Sequence, residues 1–331
     1  MPEATRIIQI GMGPLGRLMT PVIADKQSVE IIGAVDLDPK IAGKSLATLT
    51  SASDIQITVV DDLSDTLQGK PDVAVVTTVS ELDRLWSQIE PVVASGVHVV
   101  STCEELSYPW TTNPDLASEI DRAAVAADVS VLGTGINPGY LMDFLPTAAT
   151  AVVNRVDRIL IERIQDATTR RLPFRQKIGA GLSREAFEAR AASGKIRHVG
   201  LTESMHLVAA KLGWTLDRTE DIVEPALAAR PVSVNGSTVE IGQATGVVQT
   251  GRGYVNDREV LTLVFRAAVG QLDPRDTVTL YGDPDYTITV PGGTHGDTAT
   301  CAIVANAIPA VRNAQPGLRT MADIAPISCC L

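Results

Sequence analysis

The feature that most constrains this chain is a glycine turn, Gly11-Met12-Gly13-Pro14-Leu15-Gly16, which follows the apolar run Ile7-Ile8-Gln9-Ile10 and leads into a helix-patterned segment, Leu15 to Ala24. In a strand–turn–helix unit each glycine has its own reason. Gly11 permits the tight turn, Gly13 lets a pyrophosphate approach the backbone, and Gly16 lets the helix lie close to the strand. A second apolar run, Val29 to Val35, ends at Asp36, about 20 residues after the turn, where a carboxylate accepts from the ribose hydroxyls of an adenosine. The combination predicts a Rossmann-type dinucleotide-binding unit. A carboxylate at that point repels a 2′-phosphate, so NAD is favoured over NADP; Lys40 lies near enough to leave dual use open.

The alternation continues. Val59-Val60, Val73 to Thr78, Val97 to Ser101 and Val129 to Leu132 read as buried strands, with Glu81 to Ser95 and Leu116 to Ala127 as amphipathic helices between them. This is an α/β pattern with a parallel, doubly wound sheet, and it closes near residue 140. Leu141 to Val153 then reads as a bridging helix. Strand-like alternation follows at Arg158 to Ile164, Ser237 to Ile241, Val260 to Ala267, Thr277 to Leu280 and Tyr286 to Val290, with helices at Arg184 to Ala192 and Thr202 to Leu212. The expectation is a second α+β domain over 141–295 with a mixed or antiparallel sheet. The segment 296–331 follows as a helix, from Thr298 to Ile308, and a tail.

Composition narrows the function classes. The chain has 331 residues, 45% hydrophobic and 20% charged, as a globular protein of two core-bearing units requires. A formal charge of −11 argues against nucleic acid as a partner, and no apolar stretch reaches the roughly 20 residues needed to cross a bilayer. No membrane association is expected, and a cytoplasmic location is the default. The four cysteines and four histidines lack metal-ligand spacing, so no metal is expected.

The remaining candidate residues cluster at strand ends. Thr77 and Thr78 follow a buried strand and are placed to line the nicotinamide ribose, while Ser80 is a candidate helix N-cap. The next strand runs into Ser101-Thr102-Cys103-Glu104-Glu105-Leu106-Ser107-Tyr108-Pro109. Adjacent carboxylates at a strand end point in opposite directions, so one of Glu104 and Glu105 faces the cleft as a candidate acid/base and the other meets solvent or caps a helix. Cys103 is open to a thiolate reading and to an inert, buried one. In Gly133 to Tyr140, Asn137 offers a donor and an acceptor beside a Pro-Gly turn as a candidate cofactor contact, the alternative being that this loop is simply the interdomain hinge. In the second unit, Gln165, Arg171 and His198 are candidate substrate contacts, and Arg163, Arg170, Arg175 and Lys177 offer cations for a carboxylate. Pro291 to Thr298 is a last glycine-rich loop. It carries His295, a general acid or a structural histidine, and Asp297 or Thr298 as a helix cap.

With these loops assembled, the chain resembles the dihydrodipicolinate-reductase-like group, and within it the 2,4-diaminopentanoate dehydrogenases and native amine dehydrogenases. The resemblance rests on the Gly11 to Gly16 turn, on Ser101 to Pro109, on Gly135-Ile136-Asn137-Pro138-Gly139-Tyr140 and on Gly293-Thr294-His295-Gly296-Asp297-Thr298-Ala299, and it runs over nearly the full length. The His-His and Pro-Ser-Gly-Thr segments of true dihydrodipicolinate reductases do not occur. The resemblance implies reversible oxidative deamination of an amine to a ketone or aldehyde plus ammonia, with NAD or NADP. It places Glu104 or Glu105 beside the reacting amine; Cys103, Tyr140, Gln165, Arg171, His198, His295 and Thr298 are the candidate substrate-pocket residues. It also implies a homodimer formed through the second domain's sheet. The alternatives are an imine or enamine reductase of the dihydrodipicolinate type, and a non-catalytic NAD(H)-sensing regulator.

Overall fold

A computed structural model describes residues 4–52, 54–170, 172–234 and 236–329. The chain divides into two compact units, Met1–Tyr140 with His295–Leu331, and Leu141–Thr294.

The first unit opens β1 (Thr5–Ile10), α1 (Pro14–Ala24), β2 (Val29–Val35), α2 (Leu46–Leu49), β3 (Val59–Val60), α3 (Leu63–Leu67), β4 (Val73–Val76), α4 (Leu82–Ala94), β5 (His98–Ser101), α5 (Pro114–Ala126), β6 (Ser130–Gly133). Every pairing among these strands is parallel. Their runs carry almost no polar residues because helices cover both faces. Most of their polar residues stand at strand ends, but Gln9 lies within β1. It is fully buried in β1, donates from Nε2 to Gly16 O at 2.7 Å and accepts from Thr20 Oγ1 at 2.9 Å, which ties the strand to α1.

The second unit begins with α6 (Phe144–Ala149). The expected helix from Leu141 to Val153 is shorter, because Asp143 caps it by accepting from Phe144 N at 2.7 Å and Thr150–Val152 tightens into a 3₁₀ turn. There follow β7 (Arg155–Asp166), α7 (Leu172–Lys177), α8 (Arg184–Ala192), α9 (Leu201–Lys211), β8 (Arg218–Leu227), β9 (Val232–Val234), β10 (Ser237–Val239), β11 (Ala244–Val255), β12 (Arg258–Ala268), β13 (Arg275–Asp283) and β14 (Tyr286–Pro291). Six strands form one mixed sheet in the order β14-β13-β7-β12-β11-β8. Only β12–β7 is a parallel pair within it. The segment around Ser237 does not join this sheet; β10 pairs with β9 as a separate ribbon.

The chain returns to the first unit through α10 (Gly296–Arg312) and β15 (Gly317–Arg319). Helix α10 packs against α1 and over β5. Its Asn306 Oδ1 accepts from Lys26 Nζ at 2.8 Å. Strand β15 adds to β6 in parallel, so the sheet order is β15-β6-β5-β4-β1-β2-β3. β6 is therefore not the last strand of the sheet, as its sequence position suggested. Among the described residues no helix is long and apolar enough to cross a membrane.

Candidate functional site

Parallel strands bring their carboxyl ends to one edge, and the loops after β1, β2, β4, β5 and β6 meet there. The glycine turn after β1 is built from two different constraints. Gly11 sits at φ +93°, and a Cβ on it would approach Thr78 Cγ2 to 2.8 Å; a Cβ on Gly16 would stand 2.1 Å from Gly11 O. Both glycines are required by the protein's own packing. Gly13 is different: at φ −66° its backbone suits any residue, and a Cβ there would meet nothing within 4 Å. The space over Gly13 adjoins the start of α1, whose first turn has no side-chain cap. That combination fits a pyrophosphate, which needs close backbone approach and N–H groups aimed at it.

Asp36 accepts from Met12 N at 2.6 Å and from Asp38 N at 2.8 Å. It thus braces the turn while standing at the end of β2, where ribose hydroxyls are met. Met12 contributes only its backbone, since its side chain is buried with Ala34, Ile41, Leu46 and Val59. Leu15 is half-buried and Pro14 exposed. Thr77 Oγ1 donates to Gly11 O at 2.8 Å, and Thr78 Oγ1 donates to Gln88 Oε1 at 2.6 Å. The two threonine hydroxyls therefore spend their protons on protein groups and can offer a ribose only acceptor lone pairs.

After β5 the chain makes a 3₁₀ turn, Glu104–Ser107. Gly133 makes room for it: a Cβ there would be 2.6 Å from Leu106 C and 2.7 Å from Ser107 N. No local pattern in the sequence marks Gly133 for this role. Glu105 Oε2 accepts from Leu82 N at 2.8 Å, and Glu105 N donates to Ser80 O at 3.3 Å. Helix α4 is therefore capped from across the sheet edge; Ser80 is not its N-cap, Glu81 is, and the Glu81 side chain makes no capping bond. Cys103 lies in the hydrophobic core and donates from Sγ to Ser80 O at 3.1 Å. Burial pushes its thiol up to about 12; the backbone N–H of Leu106 opposes this, and the neighbouring Glu104 and Glu105 charges add to it by less. A thiolate nucleophile is incompatible with that setting.

The loop after β6 carries Asn137 and Tyr140, both half-buried. Ile136 N donates to Thr300 Oγ1 at 3.2 Å, which sets the first turns of α10 beside this loop. The N-cap of α10 is His295: its Nδ1 accepts from Thr298 N at 3.4 Å and lies 3.1 Å from Thr298 Oγ1. The cap is thus the imidazole rather than Asp297 or Thr298, and both His295 and Thr298 are exposed.

Two candidates of the second unit, Arg163 and Gln165, meet at Thr294. Arg163 and Gln165 lie on one face of β7 and donate to Thr294 O at 3.1 and 3.2 Å, while Asp276 accepts from Thr294 N at 2.7 Å. Arg163 is buried and pairs with Asp276 at 3.5 Å. Burial holds its guanidinium down to about 10, with Asp276 opposing that shift. Already paired, it is poorly placed to anchor a substrate carboxylate. The backbone of His198 is held at both polar groups by the buried Gln249, through Gln249 Oε1 at 2.6 Å and Gln249 Nε2 at 3.1 Å. Its ring packs on Phe265 at 4.6 Å. Arg171 lies outside the described residues. Sequence reasoning passed over Gln9, Gly133, Gln249 and Asp276; a glutamine in the middle of an apolar strand run was the one signal available, and it served Gln9 alone. Among the described residues no three His, Cys, Asp or Glu side chains group to hold a metal ion.

Residues 140–331 match the family model described as the 2,4-diaminopentanoate dehydrogenase C-terminal domain. The chain is 30% identical to the 2,4-diaminopentanoate dehydrogenase of Acetoanaerobium sticklandii, over 97% of this chain and 94% of that protein. In fold it is similar to an amine dehydrogenase from Mycobacterium smegmatis, with a TM-score of 0.84, 21% identity, and coverage of 99% of this chain and 98% of that one. It is also similar to the WlbA dehydrogenase from Bordetella pertussis in complex with NADH and UDP-GlcNAcA, with a TM-score of 0.52, 15% identity, and coverage of 88% and 75%.

Proposed function

The chain belongs to the 2,4-diaminopentanoate dehydrogenase family, and from that premise we propose that it is an NAD(P)-dependent amine dehydrogenase, converting an amine reversibly to a ketone or aldehyde and ammonia. A dinucleotide with its pyrophosphate held at the Gly11 to Gly16 turn would supply the hydride acceptor through its nicotinamide. Asp36 selects NAD over NADP by repelling a 2′-phosphate.

The observation that supports the assignment is that Glu105 caps α4; of the two glutamates that family analogy puts beside the amine, we assign the acid/base role to Glu104. Its carboxylate removes the ammonium proton, so that the nitrogen lone pair assists departure of the hydride from the neighbouring carbon. Once that proton has passed to solvent, the regenerated carboxylate stabilises the iminium by charge and accepts a proton from the water that attacks it. The core packing of Cys103 and Leu106 and the close fit of Gly133 hold this turn against the sheet. By family analogy the protein works as a homodimer joined through the second unit's sheet, which light scattering in solution checks.

The reaction is tested by following NADH oxidation with a panel of small ketones and aldehydes, with and without ammonium. Ammonium-dependent oxidation is expected. Its absence across the panel overturns the assignment, and oxidation of NADH by cyclic imines alone favours the imine reductase alternative.

A further inference from the structure

Thr134 directly follows β6, at the edge where the dinucleotide loops gather, and its N–H donates to Ser101 O at 2.9 Å. The residue is only 3% exposed, yet its Oγ1 has no hydrogen-bond partner. It lies beneath the next loop, since a Cβ on Gly139 would stand 3.0 Å from it. On its other side in sequence is Gly133, against which the Glu104 turn packs. A buried hydroxyl without a partner destabilises the fold. A valine of the same shape would avoid that cost, so the fold gains nothing from threonine here.

We propose that Thr134 binds the nicotinamide end of the dinucleotide, its hydroxyl bonding the carboxamide. The inference rests on the dinucleotide reading given above. In a doubly wound sheet the two nucleotide halves lie over the two halves of the strand order. The glycine turn and Asp36 follow β1 and β2, whereas Thr134 follows β6 and so belongs with the other nucleotide. A carboxamide offers both a donor and an acceptor, and a hydroxyl can serve either. The loop from Gly135 to Tyr140 covers the hydroxyl, so contact requires that loop to shift, with Gly139 at φ +123° the residue whose backbone most readily allows it.

The test compares the wild-type chain with Thr134→Val, Thr134→Ala and Thr134→Ser, measuring by calorimetry the affinities for NADH and for ADP-ribose, which lacks the nicotinamide, and recording Tm without ligand. For Thr134→Val the expected result is a Kd for NADH raised about five- to tenfold, an unchanged Kd for ADP-ribose and a Tm no lower than that of the wild type. Thr134→Ser should bind NADH as the wild type does. Should the valine variant not fold, the contrast of alanine with serine carries the same comparison. Unchanged NADH affinity in the hydroxyl-free variants overturns the proposal, as does an equal loss for both ligands. If the wild type binds neither ligand, the dinucleotide reading itself fails and this inference with it.

Discussion

The carboxylate of Glu105 accepts the backbone N–H of Leu82 at 2.8 Å, a bond that joins the turn after β5 to the first residue of α4. It gives adjacent glutamates different tasks, and the two should separate by experiment. Glu104→Gln is expected to lower kcat about a hundredfold or more while leaving Tm unchanged. Glu105→Ala should cost about 1 kcal/mol or more of stability through the lost cap, with a much smaller effect on turnover. Paired kinetics and thermal melts check this, and full activity in Glu104→Gln would remove that residue from the mechanism.

The two kinds of glycine in the first turn predict opposite outcomes for the same substitution. Gly13→Ala adds a methyl to open space, so the fold should hold with Tm shifted by no more than about 2 °C, while NADH affinity falls at least about tenfold. Gly16→Ala drives a methyl toward Gly11 O and should destabilise the protein by about 2 kcal/mol or more. Fluorescence titration with NADH and urea melts distinguish the two.

Asp36→Ser removes the charge that disfavours a 2′-phosphate. NADPH should bind tighter relative to NADH by about tenfold or more, with some stability lost because Met12 N loses its acceptor. An unchanged NADH-to-NADPH ratio would show that selectivity lies elsewhere.

Cys103 should resist alkylation in the native protein at neutral pH, because its thiol is pushed up to about 12. Mass spectrometry after iodoacetamide treatment should find it modified only when the protein is unfolded. Cys103→Ala should retain most of the activity.

Acid sensitivity has a defined sign. The Nδ1 of His198 is buried, and burial, followed by Arg163 and Lys177, holds the imidazole down to about 3. The unfolded chain takes up that proton near pH 6.5. The stabilisation is therefore complete above about 6.5 and is lost as pH falls toward 3, with a slope of up to about 1.4 kcal/mol per pH unit. His98 and His206 are shifted down by burial as well and act in the same direction. Urea melts at neutral and mildly acidic pH should diverge less for His198→Gln than for the wild type. An identical divergence would count against His198 as a source.

Where periodicity coincides with burial, the fold was legible: α8 matches its expected bounds, Arg184–Ala192, and β1, β2 and β4 stand as apolar runs. Strand β8 escaped because it is an edge strand that opens on a polar run, Arg218-Thr219-Glu220-Asp221, with a neighbour on one side only. Strand β11 escaped because its glycines imitate a loop. A Cβ on Gly246 would lie 2.0 Å from Ala267 O, and one on Gly251 would lie 2.9 Å from Met205 Sδ, so both are packing positions. At the site, residue types and their order along the chain were readable, but their hydrogen bonds were not. Local rules offer Ser80 as the cap of α4, and the group that caps it comes from 23 residues further on.

Strand β15 pairs with β6 only after the whole of Leu141–Thr294 has been spelled out. During synthesis on the ribosome, the nucleotide unit must wait with an open sheet edge at β6 and without α10 against α1, while the second unit can emerge and fold first. Nascent chains halted before Gly317 should therefore expose that edge to chaperones, and the dinucleotide unit should acquire its full resistance to proteases as the last event of biogenesis.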